Sequence, residues 1–402
     1  MEVKSSFSDR GVEFCMKFYN YLADHSSTDA NLIFSPLCTE VALSLAYLGA
    51  RGITREELAG VLQFHGDQPL ESLHQTLMRL KQNEETFNPS LYSPIINYKL
   101  FTATGLFLDQ EYPFKESFLD DAKRLFGAQC HNVQFATEPD AAVAAINQFV
   151  TKQTNGTIDD LLTSSELSPA TKLISVNALY FKANWHLQFE DSKTVKKPFT
   201  TASGDKVLVD TMHATIECKY FKSKELGGAK FLRLPYVEEC THAYFILPGK
   251  KKRFSKWSPG LALHNLYRSL TPATLQTAFR SLQEITYGTI QLPKFIIRHS
   301  IDMEDMLKDF GVKTAFDDNQ ADFTGISDGR LSIDQIKQKV FIDVNEKGTE
   351  ASAAIQVTYV DACLPPDTRA KFIADRPFIF LLRHEASDTI LFVGHVADPS
   401  AQ

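Results

Sequence analysis

The order of the hydrophobic patterns along the chain is the feature that most constrains its fold. The first third has apolar residues at helical spacing, beginning with Val12, Cys15 and Phe18. From about Leu173 the sequence changes to short runs that are rich in β-branched and aromatic residues. Helices first and strands afterwards predict an α+β protein with several antiparallel sheets. Because no Gly/Ser linker and no internal repeat divides the chain, we expect both halves to share one core.

Composition and charge argue against several classes of function. The 402 residues carry a net charge of −7, so no overall basic field favours nucleic acid as a partner. No apolar run approaches the ~20 residues of a membrane helix. The first residues also lack the apolar core and small-residue cleavage site of a secretory signal. We therefore expect a cytoplasmic protein, or one that is exported to the extracellular space without a cleaved signal peptide.

The cysteines and histidines follow no metal-binding or disulfide pattern. The six cysteines are scattered without close pairs, which predicts free thiols in a chain of this length. The H-E-x-x-H, C-x-x-C, Walker and G-x-G-x-x-G patterns are all absent, so no metal or other cofactor is predicted. The triplet "NGT" at Asn155 fits a glycosylation acceptor, and the sequence leaves open whether it is used.

One short motif matches a hydrolase signature. The sequence "GISDG" has the G-x-S-x-G form with Ser327 as the nucleophile, and Asp343 with His384 or His395 would complete a triad. That motif requires a hydrophobic strand before the serine and a helix after it. Here a polar loop precedes the serine and a strand pattern follows it, so a structural turn is the favoured interpretation.

The segment Asn345–Phe372 combines the pattern of a strand with the pattern of an exposed loop. With period two, Thr349, Ala351 and Ala353 lie on a small apolar face, and the opposite face is mostly polar. Such a strand can slide between existing strands because its inward residues add little volume. Gly348 before it provides the freedom of a hinge. The following "CLPPD" cannot lie in a central strand, which predicts an exposed tip that proteases can reach.

Several motifs, taken together, resemble the serpin family. In chain order they are "NLIFSPLCTEVALSLAYLGARGITREEL", "SVNALYFKANW", "LPY", "LPKF", "ADFTGIS", "NEKGTEASAA" and "ADRPFIFLLRH…ILFVGHVADP". The resemblance covers roughly Phe14 to Pro399. It implies a single serpin domain over residues 1–402, with three β-sheets, eight or nine helices and an exposed reactive-centre loop at about 346–376. It also explains "GISDG" as a turn, and the "ADRPF" ending resembles the family branch that works inside cells.

The resemblance implies a protein inhibitor of serine endopeptidases and not an enzyme. Such an inhibitor is a monomeric suicide substrate: the protease cleaves the loop, which then inserts into the main sheet, and this conformational change traps the protease covalently. Sixteen positions after the hinge residue Glu346, the reactive bond falls at Ala362–Cys363. Alanine suggests an elastase-like target, whereas the alternatives Leu364 and Arg369 suggest chymotrypsin-like and trypsin-like proteases. Cysteine proteases are a second target class.

Two groups of residues are expected to control this conformational change. In the first, Lys294 pairs with the hinge glutamate near Trp185. In the second, Ser35 and Asn177 match a family latch that holds the main sheet closed, while Cys38 and Gln338 replace its second serine and its histidine. Because glutamine can donate and accept hydrogen bonds, we expect a modified latch. The expected hinge residues are Glu346, Gly348, Thr349, Glu350, Ala351, Ser352, Ala353 and Ala354.

Alternative interpretations remain at this stage. A non-inhibitory serpin, with a carrier, chaperone or storage role, commonly has bulky or charged hinge residues, whereas here only Ile355 is slightly bulky. A hydrolase centred on Ser327 is a distant third. The basic run "GKKKRFSKW" is expected to be a solvated surface, and a polyanion site there is the minority hypothesis. Its charged residues are Lys250, Lys251, Lys252 and Arg253, followed by Lys256.

Overall fold

The computed structural model describes residues 7–64, 69–85, 98–237, 240–250, 258–282, 285–349 and 370–401. Several residues that were singled out from the sequence lie outside the described residues. They are Lys251, Lys252, Arg253, Lys256, Glu350, Ala351, Ser352, Ala353, Ala354, Ile355, Ala362, Cys363, Leu364 and Arg369.

Helices dominate the first third of the chain, as the apolar spacing predicts. Val12, Cys15 and Phe18 are all buried on one face of the first helix. The part of the chain that the structure describes contains these α-helices: α1 Phe7–His25, α2 Pro36–Gly49, α3 Gly52–Leu62, α4 Pro69–Glu85, α5 Glu116–Phe126, α6 Pro139–Gln153, α7 Pro259–Ser269, α8 Pro272–Ser281 and α9 Glu304–Asp309.

Strands follow from Leu173 onward, but three strands also occur earlier. The strand Tyr98–Asp109 is a difference from the sequence analysis, which assigned that region no strand. The described strands are β1 Leu32–Phe34, β2 Tyr98–Asp109, β3 Gln129–Val133, β4 Leu173–Asn184, β5 Val195–Thr200, β6 Lys206–Ser223, β7 Ala229–Pro235, β8 Thr241–Leu247, β9 Ile285–Pro293, β10 Phe295–Asp302, β11 Gln335–Val344, β12 Gly348–Thr349, β13 Ala370–Ile373, β14 Phe378–His384 and β15 Thr389–Val396.

The strands form two hydrogen-bonded networks. The main sheet has the order β10-β11-β12-β4-β2-β3. The second network has the order β1-β15-β14-β8-β7-β6-β9-β13, with β5 also paired to β6. The long strand β6 pairs with β5 and β9 over its first part and with β7 over its last part. The three expected sheets are therefore found as the main sheet and two groups of strands that share β6.

Helix α2 lies between the two networks and positions part of the candidate site. Its sequence is apolar on nearly all sides, and twelve of its fourteen residues are buried. It packs against β4 of the main sheet and β15 of the second network. Ser35 caps its first turn by accepting a hydrogen bond from the Cys38 backbone N–H, and Pro36 fits that turn.

The opposite face of the main sheet is covered by α6 and by residues 158–167, which we call the covering segment. The Gln335 side chain donates to the Glu166 carbonyl oxygen at 2.8 Å, and Lys339 Nζ donates to the Asp160 carbonyl oxygen at 2.7 Å. Lys337 Nζ lies 2.7 Å from Glu166 Oε1. Because these three β11 residues alternate along the strand, they face the covering segment while the residues between them face α2.

Candidate functional site

The top of the main sheet holds the start of the segment that the sequence identifies as a hinge. Residues 335–341 of β11 pair with residues 174–180 of β4 in parallel, and above this the two strands separate to hold β12. Thr349 pairs antiparallel with both Val344 and Ala183. Any strand that continued downward from Thr349 would have to separate β4 from β11. It would replace one parallel pairing by two antiparallel ones, which are slightly more stable per residue.

Gly348 occupies a position where the backbone leaves no room for a side chain. Its φ is +155°, and a Cβ atom there would lie 2.1 Å from the Ala183 carbonyl oxygen and 2.7 Å from Asn184 Cα. These neighbours are backbone atoms of β4, so they cannot move aside as a flexible side chain would. The close approach of two strands is therefore a second reason for glycine, in addition to the expected freedom of a hinge.

Trp185 and Tyr236 bond to the turn before β12 and to the hinge residue Thr349. The Thr349 and Tyr236 hydroxyls share a hydrogen bond of 2.7 Å, and both residues are fully buried. The Tyr236 ring stacks on Trp185 with ring centroids 4.5 Å apart. Trp185 Nε1 in turn donates to the Asn345 carbonyl oxygen at 2.9 Å. Because these buried polar groups are paired, withdrawing Thr349 from the sheet would leave the Tyr236 hydroxyl without this partner.

Glu346 lies in the turn before β12 and makes two polar contacts. Its Oε2 lies 3.0 Å from Lys294 Nζ, and its Oε1 accepts a hydrogen bond of 2.7 Å from Thr194 Oγ1. The Glu346 side chain is 10% exposed and that of Lys294 is 41% exposed. Burial by itself would raise the pKa of Glu346, but the bonds from Thr194 and Lys294 outweigh it, so the pKa is lowered from 4.5. The two residues are thus brought together, close to Trp185.

Replacing Glu346 by glutamine is expected to reduce stability at neutral pH more than at acid pH. A carboxyl group whose pKa is lowered by folding stabilises the native state at pH values above its pKa in the unfolded chain. This stabilisation is lost as the pH falls through its pKa in the folded protein. For Glu346→Gln we expect a loss of about 1–2 kcal/mol in the free energy of unfolding at pH 7, since Lys294 remains partly hydrated. Urea denaturation at pH 7 and pH 3 measures both losses.

A matched control for this experiment is Glu190→Gln. The Glu190 side chain is 61% exposed and pairs with Lys193 on the surface, so its loss should be within about 0.5 kcal/mol. An equal loss of stability for Glu346→Gln at both pH values would contradict the assigned role of its charge.

The latch residues Ser35, Cys38, Asn177 and Gln338 lie together where α2 meets the main sheet. Gln338 is fully buried, and both the oxygen and the nitrogen of its side-chain amide form hydrogen bonds to α2 or to the residue that precedes it. Its Oε1 accepts from the Ser35 backbone N–H at 3.0 Å, and its Nε2 donates to the Ser35 carbonyl oxygen at 2.9 Å and to Thr39 Oγ1 at 3.0 Å. Glutamine at this position therefore joins β11 to the beginning of α2.

Asn177 and Cys38 contribute less to this network. Asn177 faces Gln338 across the β4–β11 pairing, yet its Nδ2 reaches only Ser175 Oγ at a long 3.5 Å. Its Oδ1 is buried and has no hydrogen-bond partner among the described residues. Burial raises the pKa of the Cys38 thiol to about 12, so this group stays protonated. The side-chain bonds at this level thus run from β11 to α2 and not from β11 to β4.

A row of side chains crosses the main sheet at the upper end of the direct β4–β11 pairing. We call Phe101, Tyr180, Phe341 and Arg298, from four neighbouring strands, the aromatic row. Ring centroids are 5.4 Å apart between Phe101 and Tyr180 and 5.8 Å apart between Tyr180 and Phe341. The Arg298 guanidinium lies 4.7 Å from the Phe341 ring centroid. Separation of β4 from β11 would first have to break the contact between Tyr180 and Phe341.

Several contacting residues were not found by sequence reasoning. Tyr236 and Thr194 contact the hinge but are 113 and 152 positions away from their partners along the chain. Lys337 is also buried, between Glu166 at 2.7 Å and Asp302 at 3.1 Å. The alternating polar residues of "QIKQKV" indicate an outward face for β11, but no local signal identifies what covers that face.

The "GISDG" motif forms a turn, as the favoured interpretation had it. Ser327 is buried, and its hydroxyl has no hydrogen-bond partner among the described residues. Asp343 accepts from Asn345, His384 contacts Ser387, and His395 contacts Tyr19 and Ala30. None of these groups is placed to take a proton from Ser327. The geometry therefore gives no support to a hydrolase at this position.

Metal-binding groups and membrane-spanning helices are both absent from the described ranges. There, no group of three or more His, Cys, Asp or Glu side chains is arranged to hold a metal ion. Across the same ranges no helix combines the length and apolar character needed to cross a membrane. Asn155 is exposed in the turn after α6. The described cysteines are free thiols, and they are Cys15, Cys38, Cys130, Cys218 and Cys240.

Comparisons with known proteins agree with this architecture over almost the whole chain. Two solved structures are similar: thyroxine-binding globulin in complex with thyroxine, with a TM-score of 0.81 and 26% identity, and native protease nexin-1 with heparin, with a TM-score of 0.80 and 25% identity. Each comparison covers 98% of this chain and 99% of the other.

Curated relatives and a family profile identify the family. An uncharacterized serpin-like protein of Thermococcus kodakarensis is 35% identical over 390 residues, which is 96% of this chain and 84% of the relative. Leukocyte elastase inhibitor of Sus scrofa is 32% identical over 397 residues, which is 98% of this chain and 99% of the relative. The profile described as "Serpin (serine protease inhibitor)" matches residues 10–399. The chain belongs to the serpin family.

Proposed function

We propose that the chain, as one domain, inhibits serine proteases by acting as a suicide substrate. The observation that carries this proposal is the position of Gly348 and Thr349 between β4 and β11. They begin the small-residue strand that the sequence predicts. They also lie at the position between β4 and β11 where that strand would enter the main sheet. The protease inhibitors within the family, and the 32% identical leukocyte elastase inhibitor, support the same function.

The proposed mechanism follows the one by which inhibitory serpins act. The protease serine attacks the Ala362 carbonyl, forms an ester with it and releases the amino group of Cys363. Residues after Thr349 then enter between β4 and β11 and carry the attached protease with them. About a dozen new ladder hydrogen bonds, each contributing roughly 0.5–1.5 kcal/mol, supply on the order of 10 kcal/mol. The intact protein is in this view a kinetically held state.

The proposed target is an elastase-like protease. Alanine at the reactive bond fits a protease with a small primary pocket, because the short side chain would leave most of a large pocket unfilled and add little binding energy. Counting from Glu346 gives Ala362, while Leu364 would favour a chymotrypsin-like protease and Arg369 a trypsin-like one. The residues proposed to control opening of the main sheet are those around the hinge and the latch. Lys294, Glu346 and Gln338 make the main hydrogen bonds and ion pairs among them.

Incubation with one protease of each type tests the proposal. With an elastase-type protease we expect a covalent complex that survives a denaturing gel, and a released C-terminal fragment whose sequence begins at Cys363. A fragment that begins elsewhere would move the reactive bond. Cleavage by all three proteases without any complex would sink the inhibitory function and leave the protein a substrate.

A carrier role is the second candidate function. It is favoured by the likeness to thyroxine-binding globulin, which was solved in complex with thyroxine. A carrier would be expected to be cleaved in its loop without trapping the protease, so the same gel separates the two functions.

We also propose a polyanion as a second partner. The run from Lys250 to Arg253 provides four consecutive positive charges, and protease nexin-1, which has a similar structure, was solved with heparin. Binding of this kind depends on charge and therefore weakens with salt.

A further inference from the structure

A cleft lies between the main sheet and the second strand network, beside the turn that precedes β12. Residues of β5 and β6 line it together with residues of β10 and β11, and Pro399 and Ser400 also contribute. Its volume is about 640 Å³, which is within the range of sites that bind small molecules. Among the described residues that line it, only Glu346 and Lys347 fall within the expected loop region, and both precede β12.

Part of this cleft is apolar and open to solvent. Of the large apolar residues that the structure describes as exposed, Leu208 has the highest exposure, 66%. Ile296 also lines the cleft, and it lies directly opposite Asp343 in the β10–β11 pairing. The apolar part of the lining therefore adjoins a carboxyl group. A ligand with an alkyl chain would shield Leu208 from water while its head group reaches that carboxyl group.

The cleft carries more negative than positive charge. Seven charged residues line it, four acidic and three basic: Asp191, Lys196, Asp210, Lys294, Asp343, Glu346 and Lys347. Four of them form two ion pairs, one of 3.0 Å at Glu346 and one of 3.8 Å at Asp210. The other three form no ion pair with any residue that the structure describes. Two carboxyl groups and one ammonium group are thus left for a ligand, so the cleft favours a positive charge.

Asp343 is the carboxyl group best placed to hold such a ligand. It is half-buried, and the hydrogen bond that it accepts from Asn345 Nδ2 is long, at 3.3 Å. A carboxylate has about four acceptor positions, so most of its capacity is unused by the described residues. Burial raises the pKa of Asp343, and the bond from Asn345 and the charges of two neighbouring cations offset only part of that rise. A charged donor would stabilise this carboxylate through a short, strong hydrogen bond.

We propose that the cleft binds a small alkylammonium ligand, with its ammonium group at Asp343 and its alkyl chain over Leu208. An ammonium group is compact and offers three donors, which suits a carboxylate that has one weak partner. A second amino group on the ligand would reach Asp191, and a carboxylate at its other end would reach Lys347. The site goes beyond the proposed inhibitory function and does not depend on it.

Four probes with the same six-carbon chain test the proposal on the full protein. They are hexylamine, 1,6-diaminohexane, 6-aminohexanoate and hexanoate, which differ in the charges at their ends. In calorimetric titrations at constant ionic strength, we expect each of the three amines to bind at least about tenfold more tightly than hexanoate. Tighter binding of the diamine would support the proposal and assign its second contact to Asp191. Tighter binding of the amino acid would support it and assign that contact to Lys347.

Two variants separate the head group from the chain. Asp343→Asn keeps the shape of the side chain and removes its charge, so hexylamine should bind at least about tenfold more weakly. Leu208→Ser should weaken all three amines alike, by about threefold or more, because the alkyl chain loses its apolar contact. Leu208 is exposed, so the fold should be retained. The matched control is Asp120→Asn, which removes one charge from an exposed position on α5 and should change the affinity less than about twofold.

Three results would overturn the proposal. The first is binding of hexanoate as tightly as hexylamine, and the second is no saturable binding of any amine below about 10 mM. The third is an equal effect of Asp343→Asn and Asp120→Asn on hexylamine. If Asp343→Asn failed to fold, Leu208→Ser would still decide the question, because unchanged affinity in that variant would show that the alkyl chain does not lie in this cleft.

Discussion

Ala351→Arg is expected to convert the protein from an inhibitor into a substrate of its target protease. Thr349 is fully buried and bonds to Tyr236, and side chains alternate along a strand, so residue 351 of the inserted loop would face the same interior. At that level the neighbouring side chains of β4 and β11 would be Phe181 and Ile342, which are fully buried and apolar, so a charge would be desolvated there and the close packing leaves little spare volume. A cost of only about 1.4 kcal/mol in the insertion barrier slows insertion about tenfold. Hydrolysis of the acyl-enzyme then completes before the protease is trapped.

The measurement is the stoichiometry of inhibition, together with the proportions of complex and cleaved protein on a denaturing gel. Glu350→Arg is the matched control, because residue 350 belongs to the opposite, polar face and would lie between Lys182 and Asp343, which are only partly buried, so arginine should be tolerated there. Inhibition that is unchanged in Ala351→Arg, or lost equally in both variants, would show that the facing assigned to the loop from the sequence is wrong.

Gln338→Leu is expected to lower the free energy of unfolding by about 2–4 kcal/mol. Leucine has a similar size, but it cannot bond to the Ser35 backbone N–H, the Ser35 carbonyl oxygen or the Thr39 hydroxyl. The Ser35 N–H would then lack an acceptor, at about 1–3 kcal/mol, while the Ser35 carbonyl oxygen and the Thr39 hydroxyl stay bonded to each other at 3.1 Å. The two hydrogen bonds that the Gln338 amide group no longer donates contribute about 0.5–1.5 kcal/mol each. Urea denaturation of the intact protein measures the loss.

Gln335→Leu provides the control within the same strand. Gln335 faces the covering segment and makes one hydrogen bond from its side chain to Glu166, so its replacement should cost about 1 kcal/mol. If Gln338→Leu were no more destabilising than Gln335→Leu, the bonds between β11 and α2 would not be what holds this part of the sheet.

Much of the fold and part of the site could be predicted because the signals are local. The helical spacing of Val12, Cys15 and Phe18 and the β-rich runs after Leu173 are properties of short windows, and the helix-then-strand order follows from them. The pairing of Lys294 with Glu346 came from the family resemblance, and the structure places these residues 3.0 Å apart.

Other features could not be predicted because they depend on contacts between distant segments. The donor and acceptor capacity of Gln338 is evident from its amide, but its choice of Ser35 and Thr39 over Asn177 depends on how α2 lies on the sheet. The continuity of β6 through two groups of strands could not be predicted either. The sequence of this 18-residue strand does not show where one set of partner strands gives way to the next. The hydrogen bond between Tyr236 and Thr349 joins two unremarkable residues that only the folded chain brings together.

The two-residue strand β12 also has a kinetic meaning. Adding a strand to a sheet is slow to nucleate, because the ends of a flexible segment must be brought together before any ladder bond forms. A slip by one residue would turn every inward side chain outward. Since Thr349 is already aligned with Val344 and Ala183, both the nucleus and the register exist before cleavage. In the proposed mechanism, the cleaved loop therefore does not have to find its register. It pairs residue by residue from Thr349 onward, at a rate set by how fast β4 and β11 separate ahead of it.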